Sequence, residues 1–111
     1  MTAARFDVVL TAGAETDLEA IHDYFINQGA VEAAGKLLDD FLTMIATLET
    51  FPARRAMPKE LEVIGMHNYR QILLGPYRVV YRVTGTRVIV TVIIDGRRDL
   101  KALLEQRLLR T

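Results

Sequence analysis

Residues Val90–Leu104 read VTVIIDGRRDLKALL, and the fold turns on how this stretch is divided. A β-branched run ends at Asp95-Gly96, a turn pair, and leucines at helical spacing follow (Leu100, Leu103/Leu104, Leu108). The division is therefore strand (Arg87–Asp95), turn, terminal helix. The strand is apolar at both alternating sets of positions, which places it in the middle of a sheet, covered on both sides. Arg97 and Arg98 stand at the mouth of the helix, where partial positive charge already favours an anion. Either Asp95 and Asp99 neutralise them, or the site takes an acidic partner.

Working backwards, TGT (84–86) and GP (75–76) are short enough to be hairpin turns. They separate Arg87–Asp95 from Tyr77–Val83 and from a third strand candidate, Val63–Leu74. In the middle strand Tyr77, Val79, Tyr81 and Val83 point one way; Arg78, Val80 and Arg82 point the other. Before Pro58 the period changes. PARRAMPKE (52–60) reads as loop, and upstream of Phe51-Pro52 the apolar residues recur at helical spacing. Ala34, Leu37, Phe41, Met44/Ile45 and Leu48 form one stripe and Ala14, Leu18, Ile21 and Phe25 another, with Thr11 as the cap of the earlier helix. Asn27–Gly29 joins the two as an antiparallel hairpin spanning roughly Ala12–Thr50. A short strand, Arg5–Leu10, precedes it. The order is β-α-α-β-β-β-α, an α+β class, in one domain over residues 1–111.

The 111 residues are half hydrophobic and a quarter charged, as in a compact domain. There is no cysteine, hence no disulfide or thiolate zinc site, which fits a reducing cytoplasm. The start, MTAARFDVVL, does not have the layout of a signal peptide, and VIVTVII is far too short to span a bilayer. Net charge is zero, but residues 1–51 carry two cations against nine acids and residues 52–111 twelve against five. Eleven of the fourteen cations are arginine, whose planar fork suits carboxylates and phosphates. Such a split implies an acidic or nucleic-acid partner for the basic half, or two halves that attract each other across the fold.

Arg78 and Arg82 share a strand face with Arg98 one connection away, and with Arg70 and Arg97 they make five like charges near one sheet. A single strand arginine more often pairs with a nearby acid or lies in water. His22 and His67 sit in different elements without an i, i+4 partner, so no metal site is expected. With no cysteine and no serine there is no nucleophilic triad. No phosphate-loop spacing exists, and no cofactor is expected. Tyr69, Tyr77 and Tyr81 could stack on bases, but strand aromatics more often pack across strands.

TDLEAIHDYF (16–25), FPARR (51–55), YRVVYRV (77–83) and DGRRDLKALL (95–104) together resemble the ParE/RelE superfamily of toxins from type II toxin–antitoxin systems. The resemblance runs over nearly the whole chain. It implies a helical hairpin packed on a twisted antiparallel sheet, and a cognate antitoxin whose acidic C-terminal segment wraps the toxin in a hetero-oligomer. RelE-type members cut messenger RNA on the ribosome. By resemblance, Arg78 and Arg98 match their strand arginine and the arginine after the last strand, with Tyr69, Tyr81 or His67 as assisting groups. The positions of the RelE lysines are Tyr69 and Gln71 here, and that of the helix tyrosine is Leu104, so the acid–base pair for 2′-hydroxyl attack is missing. ParE-type members have the longer hairpin and inhibit DNA gyrase by binding it. The preferred reading is accordingly a gyrase-binding toxin with no catalytic residues. Arg70, Arg78, Arg82, Arg97, Arg98 and Lys101 then form the surface for antitoxin or target. The second reading is a ribosome-dependent endoribonuclease acting on messenger RNA.

Overall fold

The computed structural model describes residues 5–108. Strand β1 (Asp7–Leu10) leads into helices α1 (Ala12–Asn27) and α2 (Val31–Ala46), and the chain then crosses two 3₁₀ turns (Thr47–Glu49, Pro52–Arg54). A short helix α3 (Lys59–Val63), strands β2 (Tyr69–Leu74), β3 (Tyr77–Thr84) and β4 (Arg87–Asp95), and helix α4 (Leu100–Leu108) follow. Thr11 caps α1, its Oγ1 accepting from Ala14 N–H at 3.1 Å.

The sheet order is β1-β4-β3-β2, with β4 central as its two apolar faces require. Strands β2, β3 and β4 are antiparallel neighbours, but β1 lies parallel to β4, so the sheet is mixed rather than wholly antiparallel. The helical hairpin is the reason. It carries the chain away from β1 across one face of the sheet, and β1 is left to pair along the outer edge of β4.

A second correction concerns residues 52–74. The expected strand Val63–Leu74 begins only at Tyr69, and the expected loop before it contains α3. Gly65 explains both. It adopts φ +82, a left-handed conformation that ends α3, and its N–H donates to Glu62 O while Met66 N–H donates to Leu61 O. Val63, which the alternation made a strand residue, is 85 % exposed.

Two apolar clusters lie on the two faces. Over the hairpin face Ala14, Leu18, Phe41, Ile45 and Leu48 meet Ile72, Val79, Tyr81, Val88, Val90 and Ile93. On the other face Leu61, Leu100 and Leu104 meet Tyr69, Val80, Val92 and Ile94. The expected alternation of β3 holds, with Tyr77, Val79, Tyr81 and Val83 all turned to the hairpin. In β4 the phase slips. The register shifts between Val80 and Tyr81, leaving Thr91 without a partner in β3, so Val88 and Val90 face the hairpin before this bulge and Ile93 after it.

Candidate interaction site

The arginines expected on one sheet surface are divided by the fold. Arg78 and Arg82 do share a face, opposite Ile94 and Tyr69 and away from the hairpin. Arg70 lies opposite Tyr81 and therefore on the hairpin side.

Arg78 is only 9 % exposed. Its Nη1 and Nη2 donate to Glu60 Oε2 and Oε1 at 2.8 and 2.7 Å, and its Nε donates to Gln71 Oε1 at 2.9 Å. This is a fork-to-fork pair with the third donor also satisfied. The bonds from Arg78 hold the Glu60 carboxyl down at about 2, against the opposing effect of its partial burial. Arg78 thus ties α3 to the sheet. Gly96 belongs to the same arrangement: a Cβ there would stand 3.1 Å from Pro76 O and 3.5 Å from Arg78 Cδ. A side chain there would have to push back the Pro76 carbonyl, so glycine suits the close approach of the β4–α4 turn.

At that turn the two adjacent arginines part company. Asp95 Oδ1 accepts from Arg97 N–H at 2.9 Å and from its Nε at 3.1 Å, and Oδ2 accepts from Nη2 at 3.1 Å. These bonds lower the Asp95 carboxyl below its ordinary range and raise the Arg97 guanidinium above its own. Asp99 is engaged as well, its Oδ1 accepting from Ala102 N–H at 3.0 Å at the start of α4. Arg98 makes no ion pair among the described residues; it borders a depression shared with Tyr24, Tyr77 and Asp95, and another along α4. Of the others, Arg82 donates to Thr84 Oγ1 at 3.1 Å, Arg70 to Arg55 O at 3.1 Å, and Lys101 is exposed.

The tyrosines are interior groups. Tyr81 is fully buried, its hydroxyl donates to Pro52 O, and burial pushes its phenol up to about 12. Tyr69 is buried in the opposite cluster, its phenol also raised by burial. His67 is exposed on the loop before β2, and His22 sits on α1 beside Asp23, 3.9 Å from its carboxylate. Among the described residues no three histidine or carboxylate side chains are grouped to hold a metal ion, and no helix is long and apolar enough to cross a membrane.

The strongest polar contact was not anticipated. Arg107 of α4 donates from Nη2 and Nη1 to Asp17 Oδ1 and Oδ2 of α1 at 2.6 and 2.7 Å, and from Nη1 to Thr91 O at 2.7 Å. Asp17 Oδ2 also accepts from Ile93 N–H at 2.9 Å. The pair thus serves two main-chain groups of β4 at and beyond the bulge, where β1 no longer reaches. Gly13 makes room for it, since a Cβ there would lie 3.2 Å from Arg107 Cζ. The signal was present in the sequence. Asp17 falls in register with Ala14, Leu18 and Ile21, and Arg107 with Leu100, Leu103 and Leu104, so each helix turns one charge of opposite sign inward. Among the ion pairs of the described residues this alone joins the acidic half of the chain to the basic half.

No curated protein sequence matches this chain. A solved structure described as a chromosomal ParDE TA system from P. aeruginosa superimposes with a TM-score of 0.69 at 21 % identity, covering 84 % of this chain and 98 % of that one. That likeness bears out the α+β fold of hairpin and sheet. Residues 8–100 match the family described as ParE toxin of type II toxin-antitoxin system, parDE. These residues hold the helical hairpin, the sheet but for the first residue of β1, and the turn with Arg97 and Arg98, so the chain belongs to the ParE toxin family.

Proposed function

We propose that this ParE-type toxin acts by binding DNA gyrase in the cytoplasm and is held inactive by a cognate antitoxin with an acidic segment. The observation that carries the binding reading over RNA cleavage is the engagement of Arg78 by Glu60. A phosphate-binding arginine needs free donors, and here all of one edge of the guanidinium is taken by a carboxylate. The two candidate tyrosines are poorly placed to assist it. Tyr81 faces the opposite side of the sheet, Tyr69 is buried, and phenols raised by burial are poor bases near neutral pH. Arg98 remains open, and with Arg82 and Lys101 it offers a docking surface rather than a reaction centre.

The test is a supercoiling and cleavage assay with purified protein, gyrase, ATP and plasmid. Linear or nicked plasmid trapped with gyrase is the expected result. Unimpaired supercoiling at toxin concentrations well above the enzyme's would remove gyrase as target and favour the second reading, the ribosome and messenger RNA, with Arg78 and Arg98 as the residues to replace.

A further inference from the structure

The turn between α2 and α3 gathers a second basic surface, on the hairpin side of the sheet. Phe51 has φ 52 and is the sole non-glycine among the described residues with a left-handed backbone, a conformation that bulky side chains rarely take. Its ring is half exposed, and the Arg54 guanidinium lies over it, 4.0 Å from the ring centroid, so the two form one flat cationic platform. The Tyr81 hydroxyl donates to Pro52 O and pins this turn from below. Arg55 follows, exposed, and its O accepts from Arg70 Nη1 at 3.1 Å, which brings a third guanidinium alongside. Arg55 and Arg70 both lie close enough to the Tyr81 phenol to oppose the effect of burial on it. None of the three arginines forms an ion pair with a carboxylate among the described residues. Nearby acids are answered by other cations. Asp40, on the rim of the depression that Arg55 shares with α2 and β2, accepts from Lys36 Nζ at 2.8 Å, and Glu49 accepts from Arg5 at 2.7 Å.

We propose that this turn binds a single strand of DNA, with phosphates on Arg55 and Arg70 and a base stacked on the platform of Phe51 and Arg54. The choice of DNA over RNA rests on the gyrase reading above; the surface itself calls for a phosphate beside a base. Guanidinium groups with unfilled donors take phosphate oxygens through paired N–H bonds. A half-exposed ring capped by a guanidinium stacks on a base of any sequence, and each such stack strengthens binding to a single strand. The left-handed backbone at Phe51 means that the fold, rather than local preference, holds the ring where it is. An acidic peptide meets the arginines but makes no use of the ring, and the depression beside the turn, with Asp40 on its rim, is no place for its carboxylates. A regular duplex keeps its bases inside and presents no face to Phe51.

Fluorescence anisotropy of a labelled oligodeoxythymidylate of about twelve nucleotides, titrated with the purified full chain at several salt concentrations, tests this. A Kd of about 10 μM near physiological salt is expected. Arg55→Glu/Arg70→Glu should weaken binding by at least about tenfold and reduce the slope of log K against log salt by about 1.4, the share of two phosphate contacts on a single strand. Phe51→Gly should weaken it by about tenfold with the slope unchanged, since a stack is lost and no charge. Glycine takes the φ of 52 without strain, so the turn keeps its shape in that variant. Phe51→Tyr, which restores a ring, should bind within about twofold of wild type. Wild-type affinity in both Phe51→Gly and the double arginine variant would place the strand elsewhere and overturn the site, as would no binding to the wild-type chain. Oligouridylate bound more tightly than the deoxy strand by over about fivefold would overturn the choice of DNA. Polyglutamate that displaces the strand, and binds Phe51→Gly as well as wild type, would reassign the surface to acidic peptides. The mixture contains no gyrase, so each of these failures leaves the gyrase reading standing. Unimpaired supercoiling beside intact oligonucleotide binding would remove gyrase alone.

Discussion

On one face of the sheet the hairpin lays Phe41, Ile45 and Leu48 over Val79, Tyr81 and Val90. On the other, α3 and α4 offer Leu61, Leu100 and Leu104, and arginine–carboxylate pairs complete the attachment: Glu60–Arg78 for α3 and Asp17–Arg107 for α4. The difference follows from length. Two sixteen-residue helices present several turns of apolar stripe, so burial carries most of their attachment, with Asp17 adding a polar tie from α1 to β4. A five-residue helix presents little more than one turn, and Leu61 is its one buried residue. Short elements need directional contacts to fix their place, and buried arginine forks supply them.

The hairpin face should show the largest loss. Phe41 is fully buried and packs edge-on against Tyr77, with ring centroids 5.4 Å apart. Phe41→Ala should lower unfolding stability by about 3–5 kcal/mol in a urea titration, the usual cost of an aromatic cavity. A loss below about 1 kcal/mol would mean that the hairpin is not held by this core.

A smaller effect is expected at α4, and it has a signature of its own. With side chains 12 % and 21 % exposed, Asp17 and Arg107 are mostly withdrawn from water. Asp17→Ala strips the guanidinium of its carboxylate, leaving it only Thr91 O, leaves the Ile93 N–H without its acceptor, and should cost about 3 kcal/mol. Asp17→Leu/Arg107→Met, read by the same titration, should recover part of that loss, because removing both charges is less harmful than stranding one. If the double variant is as unstable as the single, the main-chain groups at the bulge, rather than the ion pair, are what Asp17 is there for.

The same contrast explains what could be read from the sequence. The stripes of α1 and α2 were legible because periodicity is a local property, and the central place of β4 because both of its faces are apolar. The parallel pairing of β1 was not legible, since Asp7–Leu10 and Arg87–Val90 meet only after the hairpin has crossed the sheet. Nor was the bulge at Thr91: in RVIVTVIID every register looks equally apolar. The site was harder still. Arg78 and Arg98 have the same residue type and similar surroundings in sequence, yet one is clamped by Glu60, eighteen positions away, and the other is open. Partner choice between distant charges is decided by three-dimensional placement, which no spacing rule encodes.

The smallest effect, and the one that separates an ionic fastener from an apolar one, is at α3. Glu60 is more than a third exposed on its side chain, so solvent screens part of its attraction to Arg78. Glu60→Gln should therefore cost only about 1–2 kcal/mol at pH 7. The sign of its pH dependence follows from the direction of the shift. The folded carboxyl titrates at about 2, below the ordinary 4.5, so folding favours the ionised form. That contribution is fully present above about pH 4.5, where both states are ionised, and is lost as the pH falls towards 2. The stability difference between wild type and Glu60→Gln should thus be constant from pH 7 to 5 and shrink between pH 4.5 and 2. Phe41→Ala supplies the contrast within one experiment, because a lost aromatic contact carries no proton and its cost should not follow this window. A Glu60→Gln difference that stays flat to pH 2.5 would mean that α3 is held by Leu61 alone and that Arg78 is freer to meet a ligand than its bonds imply.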